Sequence, residues 1–284
     1  MTNSSDLTNF AAQIRLDSLK TLKKMGQGHL GGAFSIIELL AVLYGKQMRI
    51  NPQKPNWSER DWLVLSKGHA GVALYSALAN LGYFDKSLLE TLNQGGTTLP
   101  SHPDCNKTVG IDATTGSLGQ GTSIAAGIAT GLRLKNKNSD VYLIVGDGEL
   151  NEGQCWEAFQ YIAHHKLNHC IVIIDENKKQ LDGFTTDILN PFSIVEKMRA
   201  FGFKVWTAKG SDVVAIDTAI TECKATKNQA VCLVLDSVKG QGVAYFEKLT
   251  HNHSVKFGNP EAKEACIAAI EALNEVVRSK KCSK

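Results

Sequence analysis

Four short apolar runs constrain the fold of this chain more than any other feature: "DWLVLS" from Asp61, "VYLIV" from Val141, "CIVIID" from Cys170 and "VCLVLDS" from Val231. Each has strand length and turn residues nearby, and "FKVW" at 203–206 makes a weaker fifth. The segments between them carry helical spacing, at 7–25, 35–47, 71–81, 118–134, 155–165, 193–201, 212–225 and 260–279. Strands separated by helices need crossover connections, which predicts an α/β fold with a mostly parallel sheet and helices on both faces. With no repeat, low-complexity segment or long linker, residues 1–284 read as a single domain, and the Lys-rich "RSKKCSK" at 278–284 as a solvated end.

In such sheets ligands sit at the carboxyl ends of the strands, so 66–69, 146–149, 175–177 and 236–240 are the positions to weigh. Asp147 closes the run "VYLIVGDG", and the flanking Gly146 and Gly148 let the backbone turn and a ligand approach. Asn177 follows 177 − 147 = 30 residues later, one helix and one strand away, so it is expected beside Asp147 on the neighbouring strand. A carboxylate, an amide oxygen and a backbone carbonyl make a sparse all-oxygen set. It is too few for a caged calcium and too hard for zinc, and it suits magnesium completed by water and ligand phosphates. A Gly-Asp-Gly alone reads equally well as a turn with Asp147 as a helix cap.

Other residues carry double readings. "TGSLGQG" sets Gly116, Gly119 and Gly121 around a turn entering a helix, where backbone N–H groups attract phosphate, although Gly-rich turns are common. His69 follows a strand end, whereas His29 and His102 lie in Gly- or Pro-marked loops, where a lone histidine is more often solvated structure. Lys239 could neutralise phosphate or be an ordinary solvated lysine, and Glu152 is an acid in a first helical turn. His164, His165 and His169 do not read as a metal set, because adjacent helical histidines diverge and no acid joins them. Cys155 and Trp156 read as packing residues.

Composition narrows the classes. With 43% hydrophobic residues, 21% charged and a net charge of +3, the chain sits in the ordinary soluble range and implies no nucleic-acid partner. The seven cysteines, Cys105, Cys155, Cys170, Cys223, Cys232, Cys266 and Cys282, are scattered singly, which argues against a disulfide framework or zinc knuckle and fits a reducing cytoplasm. No basic region followed by an apolar run opens the sequence, and no run of about 18 apolar residues occurs, so neither signal peptide nor membrane span is expected.

"GDG" followed some thirty residues later by Asn resembles the signature of thiamine-diphosphate enzymes. "GHLGGAFSIIELL", "LSKGHA", "TTGSLGQG", "GDGELNEGQCWEA", "NKKQLDG" and "VKGQGV", together with His253, resemble transketolase motifs in that family's order. The chain stops where a full-length transketolase would continue into its pyrimidine-binding domain, so it resembles the N-terminal subunit of a split transketolase. The resemblance implies that Asp147, Asn177 and the carbonyl of Lys179 hold magnesium, with calcium or manganese as substitutes. It puts the cofactor against Gly116, Ser117 and Leu118, Gly148 and Glu149, with Leu181 on the thiazolium ring, Lys239 near phosphate, and Glu152 meeting its two-fold mate. His69 would serve the diphosphate, and His29 and His102 the substrate hydroxyls. His253 completes the catalytic set, although "THNHSVKFG" matches the family's Trp-His-Gly loosely and His251 competes for the place.

The same resemblance implies a partner subunit carrying the pyrimidine domain and activating glutamate, a two-plus-two heterotetramer, and no activity in this chain alone. The implied reaction moves a two-carbon ketol unit from a ketose phosphate to an aldose phosphate, as in the pentose phosphate pathway. A sulfosugar or branched-chain sugar phosphate stays open, since the pocket for that end of the substrate is expected on the partner. Two rivals remain: the α chain of a 2-oxo acid dehydrogenase, against which "LSKGHA" and "TGSLGQG" argue, and a non-catalytic cofactor-binding relative.

Overall fold

Each apolar run folds as a strand, and the four main ones are apolar nearly throughout because both sides of the sheet are covered. The structure, a computed structural model, describes residues 3–279; Cys282 and the last five residues of the Lys-rich stretch lie outside the described residues. Its strands are β1 (Gln27–Gly28), β2 (Trp62–Leu65), β3 (Val141–Gly146), β4 (Cys170–Glu176), β5 (Lys204–Lys209), β6 (Val231–Asp236) and β7 (Val255–Lys256). Five of them form a parallel sheet in the order β2-β3-β4-β6-β5. Along β4, Ile171 and Ile173 enter one core with Leu65, Ile144 and Leu233, whereas Val172 and Ile174 enter the other with Leu143, Val145 and Val234.

Helices Ser4–Met25, Ile37–Val42, Gly71–Leu81, Val213–Ala225 and Pro260–Ser279 build the first layer, and Gln120–Leu134, Gly153–His164 and Ile194–Ala200 the second. Local signals set their ends: Gly26 takes the left-handed conformation after Met25, and the Asp212 carboxylate accepts the N–H groups of Val214 and Ala215. Among the described residues no helix is long and apolar enough to cross a membrane.

The structure corrects several boundaries. The helix expected over 35–47 becomes Ile37–Val42 and a π-helical turn at Leu43–Gln47, set off by a break at 35–36 from a short helix, Leu30–Phe34, that was not expected. The break lets the "GHLGG" turn approach the sheet edge, where a Cβ on Gly32 would lie 2.8 Å from His69 Nε2. The helix expected from 118 starts at Gln120, because Gly119 sits at φ 83°. Thr185–Leu189 and Ala244–Lys248 are helices too short for periodicity to reveal.

Candidate active site

Parallel register aligns the strand ends. Gly146 of β3 stands opposite Asp175 of β4, which stands opposite Leu235 of β6, so the loops after β2, β3, β4 and β6 open on one edge. There they enclose a cavity of about 390 Å³, within the ordinary range of cofactor sites. The Asp147 N–H donates to the Asp175 carbonyl at 3.1 Å, which sets the Gly-Asp-Gly turn beside the end of β4. Asp147 and Asn177 both line the cavity, as the thirty-residue spacing predicts.

Asp147 is buried, and its carboxylate accepts the N–H groups of Lys178 at 2.5 Å and Gly148 at 2.8 Å. The second of these bonds makes it the cap of the short 3₁₀ turn Gly148–Asn151, so the plain capping reading also holds. Lys178 reaches it by adopting φ 66°, and Gly148 is required because a Cβ there would lie 2.8 Å from that of Gln180. Among the described residues no Lys, Arg or His side chain comes within ion-pair distance of Asp147. Burial, and then the charge of Asp175, push its carboxyl up to about 7. A buried carboxylate with no cation against it, facing a cavity, fits a divalent metal.

The oxygen set continues on Asn177. Its Nδ2 donates to Asp175 Oδ2 at 2.7 Å, which leaves Oδ1 as the acceptor, in a long 3.2 Å bond from the Lys179 N–H. The Lys179 carbonyl accepts from Lys239 Nζ at 2.9 Å, and Lys239 also donates to the Gln180 carbonyl at 3.2 Å. Lys239 is buried rather than solvated, and burial pushes its ammonium down to about 8. Among the described residues no cluster of three or more His, Cys, Asp or Glu could hold a metal; the set at Asp147 draws instead on amide and carbonyl oxygens. His169 bonds the Ala129 carbonyl at 2.8 Å, away from His164 and His165.

Four imidazoles wall the other side. His69 stands at the end of β2, and the pairing of Gln27 with Lys256 and Gly28 with Val255 in β1 and β7 carries His29 to His253. Ring centroids lie 5.2 Å apart for His29 and His253, 4.7 Å for His69 and His253, and 5.9 Å for His29 and His102. Gly116, at φ 139°, backs against His102, whose ring a Cβ would meet at 3.0 Å. His253 lines the cavity, whereas exposed His251 does not. Burial lowers all four imidazoles from their ordinary value, His69 well below it and His253 to about 3. Nδ1 of His253 is buried without a hydrogen-bond partner, an unmet demand that a polar ligand would satisfy.

Two expectations change. The Gly119 N–H, at the helix start that was to offer its donors to phosphate, is taken by Glu149 Oε1 at 2.9 Å. Glu149 also accepts from Ser66 Oγ at 2.5 Å and the Gly146 N–H at 3.0 Å, so its carboxylate clamps the "TGSLGQG" turn to the ends of β2 and β3. Ser117 is exposed and outside the cavity lining, whereas Gly116 and Leu118 line it. Leu181 lines the cavity with 62% of its surface exposed, and Glu152 stands exposed at the same rim. Cys155 is buried and Trp156 packs edge-on against Phe159; the six described cysteines are free thiols.

Sequence reasoning missed the ion pair beneath the site. Lys67 Nζ lies 2.6 Å from Asp175 Oδ2, with side-chain exposures of 1% and 0%. The same ammonium donates to the Gly32 carbonyl at 2.7 Å, and Asp175 also accepts from Ser35 Oγ at 2.7 Å and from Ser237. Both charges sit in strand-end segments singled out from the sequence, but nothing in those segments says that they meet.

Fold and site together are those of a thiamine-diphosphate-binding α/β domain. Residues 7–269 match the family model "Transketolase, thiamine diphosphate binding domain". The chain is 45% identical over 267 residues to the 6-deoxy-6-sulfo-D-fructose transketolase subunit SqwG of Clostridium sp. (strain MSTE9), covering 94% of this chain and 96% of that one. It is 35% identical to an apulose-4-phosphate transketolase subunit from Actinobacillus succinogenes, covering 87% and 88%. A transketolase structure from Campylobacter jejuni superposes with a TM-score of 0.85 at 27% identity, over 98% of this chain and 47% of that one. The chain belongs to the transketolase family, and it spans just under half the length of that solved relative. The 2-oxo acid dehydrogenase reading falls with that membership.

Proposed function

We propose that this chain is the diphosphate-binding subunit of a two-chain transketolase that moves a two-carbon ketol unit from a ketose phosphate or related sugar to an aldose phosphate. The observation that carries the proposal is the buried oxygen set of Asp147, Asn177 and the Lys179 carbonyl, facing a cavity walled by four desolvated histidines. Asp147, Asn177 and the Lys179 carbonyl would hold magnesium, Lys239 would balance diphosphate charge, and the neutral imidazole of His69 would donate a hydrogen bond to it. Gly116, Leu118 and Gly148 would give the cofactor close backbone approach, and Leu181 an apolar surface. When bound, thiamine diphosphate supplies the carbanion chemistry. His29, His102 and His253, kept neutral by burial, would accept and return protons at substrate hydroxyls.

The rest of the enzyme is proposed to lie on a second subunit carrying the pyrimidine domain, with residues 1–284 as one domain and two copies of each chain in the assembly. Exposed Leu181, Phe184, Ile188, Leu189 and Phe192, all within twelve residues of the cavity mouth, support an apolar partner there. Glu152 at the rim would meet its two-fold mate on a second copy of this chain, and the free thiols support a cytoplasmic setting. A sulfonated sugar is favoured as donor by the 45% identity to a 6-deoxy-6-sulfo-D-fructose transketolase subunit, with a ketose phosphate as the second reading.

The test is a calorimetric titration of thiamine diphosphate with magnesium into the chain, alone and mixed with the pyrimidine-domain subunit. Ketol transfer from 6-deoxy-6-sulfo-D-fructose and from fructose 6-phosphate is then assayed on the mixture. Tighter binding and turnover only in the mixture are expected. Binding without turnover on any donor would return the protein to the non-catalytic reading, and absence of binding in both samples would remove the cofactor assignment.

A further inference from the structure

Asn177 is a ligand that can face two ways. Its amide ends in an oxygen that attracts a cation and an NH₂ group that repels one, and the two ends are nearly the same shape. An amide free to turn would spend part of its time presenting the wrong end. In this chain the amide has a buried neighbour that accepts hydrogen bonds and offers none, the carboxylate of Asp175.

We propose that Asp175, held by Lys67, is the positioning residue that fixes the Asn177 amide with its oxygen toward the metal site. The inference rests on the cofactor reading above and deepens it. Asp175 Oδ2 accepts from Asn177 Nδ2 at 2.7 Å, which turns the NH₂ end into the protein and leaves Oδ1, held on one side by a long 3.2 Å bond from the Lys179 N–H, with capacity toward the cavity. A carboxylate can stabilise that orientation alone, because it has no donor to offer Oδ1. Four groups hold the carboxylate in turn: Lys67 at 2.6 Å, Ser35 at 2.7 Å, Asn177 and Ser237. They come from the end of β2, the segment just after "GHLGG", the end of β4 and the loop after β6, so several of the elements that frame the cavity meet on Asp175.

Lys67 has a separate part. The ammonium lies 2.6 Å from Asp175 Oδ2 with both side chains buried, and so supplies the opposite charge that a buried carboxylate needs. Lys67 also ties the arrangement to the His29 segment through the Gly32 carbonyl at 2.7 Å. Groups that orient a metal ligand from behind are a general feature of metal sites, and losing one costs about 10–100-fold in affinity or activity.

The test uses the complex of this chain with its pyrimidine-domain subunit. Removing one charge alone would strand its partner in the interior and could unfold the chain, so the paired variant Lys67→Met/Asp175→Asn is used, with thermal denaturation to verify folding. Magnesium chloride is titrated calorimetrically at saturating thiamine diphosphate, and metal-free neutron structures of both proteins, which distinguish the NH₂ end of an amide from its oxygen, report the Asn177 orientation. Magnesium affinity is expected to fall about 10–100-fold. The Asn177 amide should turn or occupy two orientations, and kcat should recover at saturating magnesium while the magnesium KM rises. A folded variant that keeps wild-type affinity and orientation would overturn the inference and leave the cofactor reading standing. A wild-type complex that takes up neither magnesium nor thiamine diphosphate would remove that reading, and the inference with it.

Discussion

His253 concentrates the electrostatic cost of the site in one side chain. Burial, reinforced by Lys239 and His29, depresses its imidazole to about 3, so in the folded chain it stays neutral where the unfolded chain would take a proton near 6.5. Between those two values the unfolded state binds more protons, and stability therefore falls as the solution is acidified below about 6.5. Above that value the contribution vanishes. His29, His69 and His102 are lowered in the same direction, so their losses add on the acid side. His253→Gln should flatten the decline in urea midpoint between pH 6.5 and 5; an unchanged acid limb would mean that His253 is solvated in the native state. Asp147 makes the complementary case. Asp147→Ala removes the lone carboxylate of the oxygen set and should weaken magnesium-dependent thiamine diphosphate binding by at least about 100-fold, read by calorimetry, with little loss of fold. At this scale the sequence was legible wherever a residue ends a strand, as Asp147, His69 and Asn177 do. It was silent on Lys67 with Asp175, because an ion pair across 108 residues leaves no local pattern.

Elements meet at this site by close backbone approach, and glycines set how close. Gly121 opens the helix Gln120–Leu134 directly against the end of β2, where a Cβ would lie 2.5 Å from Ser66 Oγ and 2.7 Å from its Cα. Gly127 lies six residues along the same helix with nothing within 4 Å of its Cβ direction. Gly121→Ala should therefore lift the helix off β2, strain the Glu149 clamp and destabilise by about 1–3 kcal/mol. Gly127→Ala should gain roughly 0.5–1 kcal/mol from helix propensity. Chemical denaturation of the two variants gives the comparison, and equal effects would refute the packing argument. The major strands were legible because a sheet covered on both faces demands unbroken apolar runs. β5 read weakly because it is an edge strand, exposed at Lys204 and Lys209. The β1–β7 ribbon, which brings His253 to His29, was illegible: two residues a side carry no period.

At the scale of the whole molecule, one exposed apolar patch adjoins the cavity. Leu189 and Phe192 line a groove of about 310 Å³ with Leu150 and Trp156, and Asn151 lines both that groove and the cavity. Phe192 is 76% exposed and Leu189 60%, in a region where ordinary surface chemistry would place polar side chains. The sequence could not reveal this patch, because its apolar residues are interleaved with polar ones and resemble any loop until the fold sets them side by side. If the patch receives the pyrimidine-domain subunit, then Leu189→Asp should leave the unfolding midpoint of the isolated chain nearly unchanged, since the side chain contributes little to the core. The same substitution should weaken assembly about tenfold or more, as a buried charge at an interface centre does. Sedimentation of the mixed subunits measures that loss. Because a weakened complex can be driven together by concentration, activity should return as the partner is raised in excess. Assembly as tight as wild type would show that the patch faces solvent in the working enzyme and that the partner seals the cavity from another side.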